Sequence, residues 1–138
     1  KQRQSHLTGI TIVEAEISYA KKKFPDSFGV QYEVRLMNKY SEEISTLDGE
    51  YDYIIDNDLS SYACCRYHFN VMLSGYRKLL TPKGCILVGI NGLGYFDSGF
   101  GLTQDMIQKI AHSHGLIFLP GAEFHMLQLE DTHGKSIK

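Results

Sequence analysis

The feature that most constrains this chain is a series of short, largely apolar, strand-like segments separated by stretches of helical period. Residues 7–15 (LTGITIVEA) are rich in β-branched side chains and continuous in apolar character, as a parallel strand covered on both faces requires. Ile17, Ala20 and Phe24 then recur at helical spacing, the lysines 21–23 suit the last carbonyls of a helix, and Pro25 stops it. Residues 30–37 (VQYEVRLM) predict a second strand, and Ser41 caps a short helix with Glu42 and Glu43 in its first turn. Asp48-Gly49 is a turn, and residues 51–56 (YDYIID) predict a third strand that ends in a polar cluster. From about residue 62 to residue 80, Cys64, Tyr67, Val71, Met72, Leu79 and Leu80 form one stripe, the longest helix, which Thr81-Pro82-Lys83-Gly84 ends. Residues 85–90 (CILVGI) are the most hydrophobic strand.

The C-terminal part is equally periodic. Thr103 reads as an N-cap, with Asp105 in the first turn, Met106, Ile107, Ile110 and Ala111 on the buried face, and Gly115 as terminator. Strands at residues 116–119 and 124–129 flank Pro120-Gly121 and predict an antiparallel pair. The order implies an α/β fold: a Rossmann-like, mostly parallel sheet with helices on both faces and an antiparallel C-terminal strand pair. With 138 residues, 43% of them hydrophobic, the chain suits one core and one domain over 1–138. Since it opens on Lys1, the domain is expected to be N-terminally incomplete.

Charge and cysteine content narrow the function classes. A net charge of −2, from 14 basic and 16 acidic residues, gives no field that would draw nucleic acid or an anionic membrane. No apolar run approaches the roughly 20 residues that span a bilayer. Three cysteines, Cys64 and Cys65 adjacent, make no disulfide framework and lack paired zinc spacing, so a reducing cytoplasm is the simplest home. The adjacent pair is expected on the long helix, one thiol buried and one half-exposed. His112 and His114 suit the C-terminus of their helix as favourable charge.

Parallel sheets bind ligands outside the carboxyl ends of their strands. That rule selects Glu14 and Glu16, Asn38, residues 56–61 and residues 91–101. The acids at 14 and 16 also suit a helix N-terminus, and the cluster after residue 55 also suits a cap and a turn. The segment 89–101 carries five glycines with Tyr95, Phe96 and Phe100, which fits a mobile lid over a substrate. It has no GxGxxG spacing, so it is not a dinucleotide fingerprint.

Three stretches, LTGITIVEAEISYAKKKFP (7–25), EYDYIIDNDL (50–59) and GYRKLLTPKGCILVG (75–89), together resemble the class I S-adenosylmethionine-dependent methyltransferase family. The third is the most specific, with a leucine pair, a Pro-Gly-type turn and a hydrophobic strand. The resemblance implies a methyltransferase of unspecified acceptor using S-adenosylmethionine. That family begins with a strand and a glycine-rich turn that this sequence does not show, so residues 7–15 answer to its second strand. The absent strand would lie between residues 7–15 and 51–56, leaving two edges whose unpaired groups cost about 1–3 kcal/mol each when buried. Residues outside this sequence, a partner chain as in a homodimer, or a rearranged strand order would fill the place. The resemblance further puts Thr11 where the family holds a ribose-binding acid, with Glu14 the substitute, and Asn38 beside the adenine amine. It sets Asp56 and Asn57 at the methionine end, and brings the substrate, small molecule or macromolecule, past Tyr62, Tyr95 and Phe96. No Asn-Pro-Pro-Tyr motif follows the third strand, which argues against methylation of nucleic acid bases. Two alternatives stand beside this one: aminopropyl transfer, because VEAEISYAKKKFP also resembles the polyamine synthases, and a non-catalytic binding or dimerisation module.

Overall fold

The structure is a computed structural model and describes residues 5–24, 30–47, 50–93 and 102–130. Strand β1 (Ser5–Thr11) leads through α1 (Glu14–Lys23) to β2 (Val30–Leu36), which lies parallel to β1 with Thr11 opposite Leu36. A short 3-10 helix (Glu42–Thr46) precedes β3 (Tyr51–Ile55), α2 (Arg66–Leu79) and β4 (Leu80–Gly89), and β4 runs parallel to β3. Helix α3 (Gln104–Ser113) then leads into β5 (Leu116–Leu119) and β6 (Phe124–Leu129), which pair antiparallel. The second sheet has the order β3-β4-β6-β5.

Local chemistry sets most boundaries. β1 stops at Thr11, short of the expected residue 15, because the Val13 N–H donates to Thr11 Oγ1 at 3.1 Å and turns the chain into α1. Ser41 Oγ accepts from the Glu43 N–H at 2.9 Å and Thr103 Oγ1 from the Met106 N–H at 3.1 Å, so both predicted caps form. Helix α2 starts at Arg66, four residues later than residue 62, since Tyr62 has φ +59° and cannot lie in a right-handed helix. The segment 81–84 does not precede β4 but is absorbed into it: Tyr51 pairs with Leu80 and Tyr53 with Cys85, so the Thr-Pro-Lys-Gly turn forms an irregularity inside the strand. Gly115, with φ +74°, ends α3 as expected.

The core lies between α2, α3 and the four-stranded sheet. Phe69, Met72, Leu73, Ile86, Leu102, Ile107, Leu116 and Leu127 are fully buried there. The buried face of α2 is Phe69, Met72, Leu73, Tyr76 and Leu79, at helical spacing but rotated from the expected stripe, so that Tyr67 is 65% exposed. Gly75 allows the 3-10 helix to approach α2, since a Cβ there would stand 2.2 Å from Ile44 Cγ2. Helix α1 buries no residue, and Phe24 beyond it is 58% exposed. No helix among the described residues is long and apolar enough to cross a membrane.

The fold is the expected α/β arrangement, with its sheet in two pieces. Among the described residues no strand pairs with the inner edge of β1 or of β3. A cavity of about 330 Å³ separates them, lined by residues 6–10 of β1 and by Tyr51, Tyr53, Ile54 and Ile55 of β3. A side-chain bond crosses it, between Thr8 Oγ1 and the Tyr51 hydroxyl at 2.9 Å. This is the place where the sequence predicts a strand to be absent.

Candidate functional site

The carboxyl ends of β1, β2 and β3 open onto one cleft of about 620 Å³. From β1 and α1 it receives Thr11 and Glu16; Thr11 Oγ1 donates to Glu16 Oε1, so the hydroxyl and the carboxylate act as one acceptor group. From the turn after β2 come Asn38, Lys39 and Tyr40, the turn being fixed by the Tyr40 N–H donating to Asn38 Oδ1 at 2.9 Å. From β3 comes Asp56, whose own N–H donates to the Leu87 carbonyl of β4 at 2.9 Å.

A polar hub closes the floor of the cleft. Lys39 Nζ donates to Asp56 Oδ2 and to the Asp58 carbonyl at 2.9 Å each, to the Leu59 carbonyl at 3.2 Å and to Ser61 Oγ at 3.3 Å. The Tyr76 hydroxyl, reaching up from α2, donates to the same Asp56 oxygen at 2.7 Å. The Tyr40 hydroxyl donates to the Ser61 carbonyl at 2.5 Å. Burial first, and the Asp56 charge second, push the pKa of Tyr40 and Tyr76 above the ordinary phenol range. Both tyrosines therefore remain hydrogen-bond donors at any physiological pH. Among the described residues, the Lys39 and Tyr76 bonds to Asp56 both fall on Oδ2, which leaves Oδ1 for a ligand.

Of the residues the sequence selects, Glu16, Asn38, Asp56, Ser61 and Tyr62 line this cleft together. Glu14 does not: it is exposed at the first position of α1, and the carboxylate at the cleft belongs to Glu16. Asn57 is exposed and turned to the end of β4, where its carbonyl would stand 1.9 Å from a Cβ at Gly92. Tyr95 and Phe96 lie outside the described residues, as does most of the glycine-rich segment. Sequence reasoning missed Lys39 and Tyr76. A basic residue at the carboxyl end of one parallel strand, with an acid at the end of the next, was the available signal for Lys39.

A second cavity, of about 360 Å³, shares Asn38, Tyr40 and Tyr62 with the cleft and adds Glu42, Cys64 and His68. Its cysteines depart from expectation: Cys64 is exposed, Cys65 half-buried, and both precede the first turn of α2, with Cys65 at the N-cap. The Cys64 thiol lies 3.4 Å from Cys65 Sγ, and the His68 Nδ1 lies 3.1 Å and 3.2 Å from the two sulfurs. A bond from the His68 backbone N–H, then one from its side chain, lower the Cys65 thiol from 9.0 to about 7. Cys64, which donates its proton to that sulfur, is raised. His114 also corrects the sequence reading, because burial and then the Arg77 charge lower its pKa and so disfavour the cation. It bonds Asn70 Oδ1 at 2.6 Å instead.

No protein-family model matches this sequence, and no curated protein matches it either. Solved structures do match over nearly the whole chain. A TehB-like SAM-dependent methyltransferase from Corynebacterium glutamicum superposes with a TM-score of 0.64 at 15% identity, over 94% of this chain and 83% of that one. A S-adenosylmethionine-dependent methyltransferase from Clostridium acetobutylicum gives 0.67 at 12% identity, over 93% and 85%. The 1,6-didemethyltoxoflavin-N1-methyltransferase of Burkholderia thailandensis, solved with 1,6-didemethyltoxoflavin and S-adenosylhomocysteine bound, gives 0.60 at 15% identity, over 90% and 61%.

Proposed function

We propose that this chain, which has the fold of the class I S-adenosylmethionine-dependent methyltransferases, is an enzyme of that type and holds S-adenosylmethionine in the cleft at the ends of β1, β2 and β3. The observation that carries the reading is the convergence of Glu16, Asn38 and Asp56, from three successive strand ends, on one cavity. Their chemistry fits the ligand. The Thr11–Glu16 pair accepts hydrogen bonds from ribose hydroxyls, the Asn38 amide meets the adenine edge, and Asp56 Oδ1 accepts from the ammonium of the methionine end. A volume of about 620 Å³ is of the size that encloses a small organic ligand.

S-adenosylmethionine supplies an electrophilic methyl group on a positively charged sulfur. The protein's task is then to orient two reactants and exclude water, and orientation alone can contribute about 7–11 kcal/mol of the barrier. Tyr40 and Tyr76, held as donors, fix Asp56 and the turn after β3 and do not act as bases. The acceptor enters past Tyr62, from the cavity that adjoins the cleft.

Calorimetric titration of the full-length protein with S-adenosylhomocysteine tests the reading. Glu16→Gln, which removes a charged acceptor, is expected to weaken binding about 10- to 100-fold, the equivalent of about 1.5–3 kcal/mol. Glu14→Gln is expected to leave binding unchanged. Absence of binding by the unmodified protein refutes the proposal, and the reverse order of the two variants moves the ribose acceptor to Glu14.

A further inference from the structure

We propose that Cys64, Cys65 and His68 form a site for one thiophilic, zinc-class cation, held by two thiolates and one imidazole and open at its fourth position. Among the described residues, these three make the only group whose metal-ligating atoms gather within 4.8 Å of one another. A tetrahedral zinc ion, bonded at about 2.3 Å to sulfur and about 2.05 Å to nitrogen, spaces two sulfurs about 3.8 Å apart and sulfur from nitrogen about 3.5 Å. The observed 3.4 Å between sulfurs, and 3.1 Å and 3.2 Å from sulfur to nitrogen, need to open by only a few tenths of an ångström. The exposed thiol and imidazole can do this without displacing core side chains.

The convergence is a product of the fold. Adjacent side chains of an extended segment point to opposite sides, yet both sulfurs here reach one ring. Entry into α2 brings this about: Cys65 is the extended N-cap residue with no side-chain cap bond, and His68 follows within the first turn. The His68 ring is further held edge-on to Tyr67, with centroids 5.1 Å apart. The sulfurs are not joined, since 3.4 Å is far beyond a disulfide bond of about 2.05 Å.

Two thiolates and an imidazole select a soft or borderline cation over magnesium or calcium, which take oxygen ligands. Three protein ligands leave one coordination position for water or a further ligand, the pattern of open zinc sites. Cys64 and His68 both line the cavity of about 360 Å³ beside the cleft, with Glu42 among its walls, so such a ligand has room. The site stands on its own donors whether or not the neighbouring cleft holds S-adenosylmethionine.

The test is titration of the full chain, reduced and metal-free, with cobalt(II) as a spectroscopic stand-in for zinc. One equivalent is expected to develop thiolate-to-cobalt charge-transfer absorption and the visible bands of a tetrahedral ion, both abolished by adding zinc. Cys64→Ser, Cys65→Ser and His68→Ala are each expected to lower affinity by more than about tenfold. Cys85→Ser, at a buried thiol of β4, keeps the spectrum. Circular dichroism of each variant shows whether the fold is retained. The inference is overturned by absence of the charge-transfer band in the unmodified protein, by half an equivalent, which would mean an ion bridging two copies, or by unchanged binding in a folded His68→Ala. Titration with S-adenosylhomocysteine, with and without chelator, reads the other proposal separately.

Discussion

Replacing Lys39 with methionine keeps the length of the side chain and removes its charge. In the native hub the ammonium meets Asp56, two carbonyls and Ser61, and the Lys39 and Asp56 side chains are only 16% and 12% exposed. Without the ammonium, Asp56 keeps the Tyr76 bond alone and remains a desolvated, unpaired anion. Removing one partner of a buried pair costs about 3–5 kcal/mol, and the remaining exposure puts this case near about 3. At about 2.1 cal/mol/K per residue, a chain of 138 residues has an unfolding entropy near 0.29 kcal/mol/K, so Tm should fall by about 10 °C. Thermal unfolding followed by circular dichroism reads the shift. Asp56→Asn removes the stranded charge, so Lys39→Met combined with Asp56→Asn should lose at least about 1 kcal/mol less than the two single losses added together. A Tm change under about 3 °C in Lys39→Met, or strict additivity in the double variant, refutes the argument that this pair anchors the cleft.

Two further outcomes follow from local geometry. Gly75→Ala places a Cβ 2.2 Å from Cγ2 of Ile44, a buried β-branched side chain stiff about its first torsion, and should cost about 1–3 kcal/mol in urea unfolding despite the better helix propensity of alanine; a stabilised variant refutes the close approach. Alkylation of the reduced, chelator-treated protein should occur first at Cys65, its rate rising with pH through a midpoint of about 7 and not 9.0, as mapped by mass spectrometry. Because that folded value lies below the ordinary one, the thiolate's contribution to stability is complete above pH 9.0 and is lost as pH falls through about 7.

Legibility in the sequence followed the range of the interaction. The pair β5 and β6, the cap at Thr103 and the end of α3 at Gly115 depend on residues close in sequence, and they fall at the expected places. Among the described residues, the gap between β1 and β3 falls where the resemblance to the methyltransferases placed a further strand. The Lys39–Asp56 pair was only hinted at, by a base and an acid after successive strands, since it joins residues 17 apart at the ends of strands that belong to different sheets. The choice between Glu14 and Glu16 turns on helix phase. Two residues along a helix rotate by about 200°, so only one of the acids can face the cleft, and the phase depends on where α1 begins. Reading strand character to residue 15 obscured that start, which the Thr11–Val13 bond places at Glu14. The metal-ligating trio escaped although its spacing was available: His68 follows the two cysteines by four and three residues, a spacing that brings side chains together on a helix, and here it does so at the entry to α2, where Cys65 is the N-cap.

Tyr62 separates function from stability within one residue. Its φ of +59° lies in the left-handed region, costing a non-glycine residue about 1–2 kcal/mol, and its side chain is one that lines both cavities. At 75% exposure the ring contributes little to the core. Strain held by an exposed aromatic at the border of two cavities is what a ligand-contacting role would maintain. Tyr62→Gly relieves the strain but adds about 0.5–1 kcal/mol of chain entropy to the unfolded state, so the backbone terms leave stability unchanged or raise it by up to about 1.5 kcal/mol. Affinity for S-adenosylhomocysteine or turnover of an acceptor should nevertheless fall, and Tyr62→Phe, which keeps the ring, should retain most of both. If Tyr62→Gly unfolds more readily by over about 1 kcal/mol, the ring supports the fold and the strain argument fails. If it is stable and binds and turns over as before, Tyr62 has no part in ligand contact, and the passage between the two cavities is not the acceptor's route.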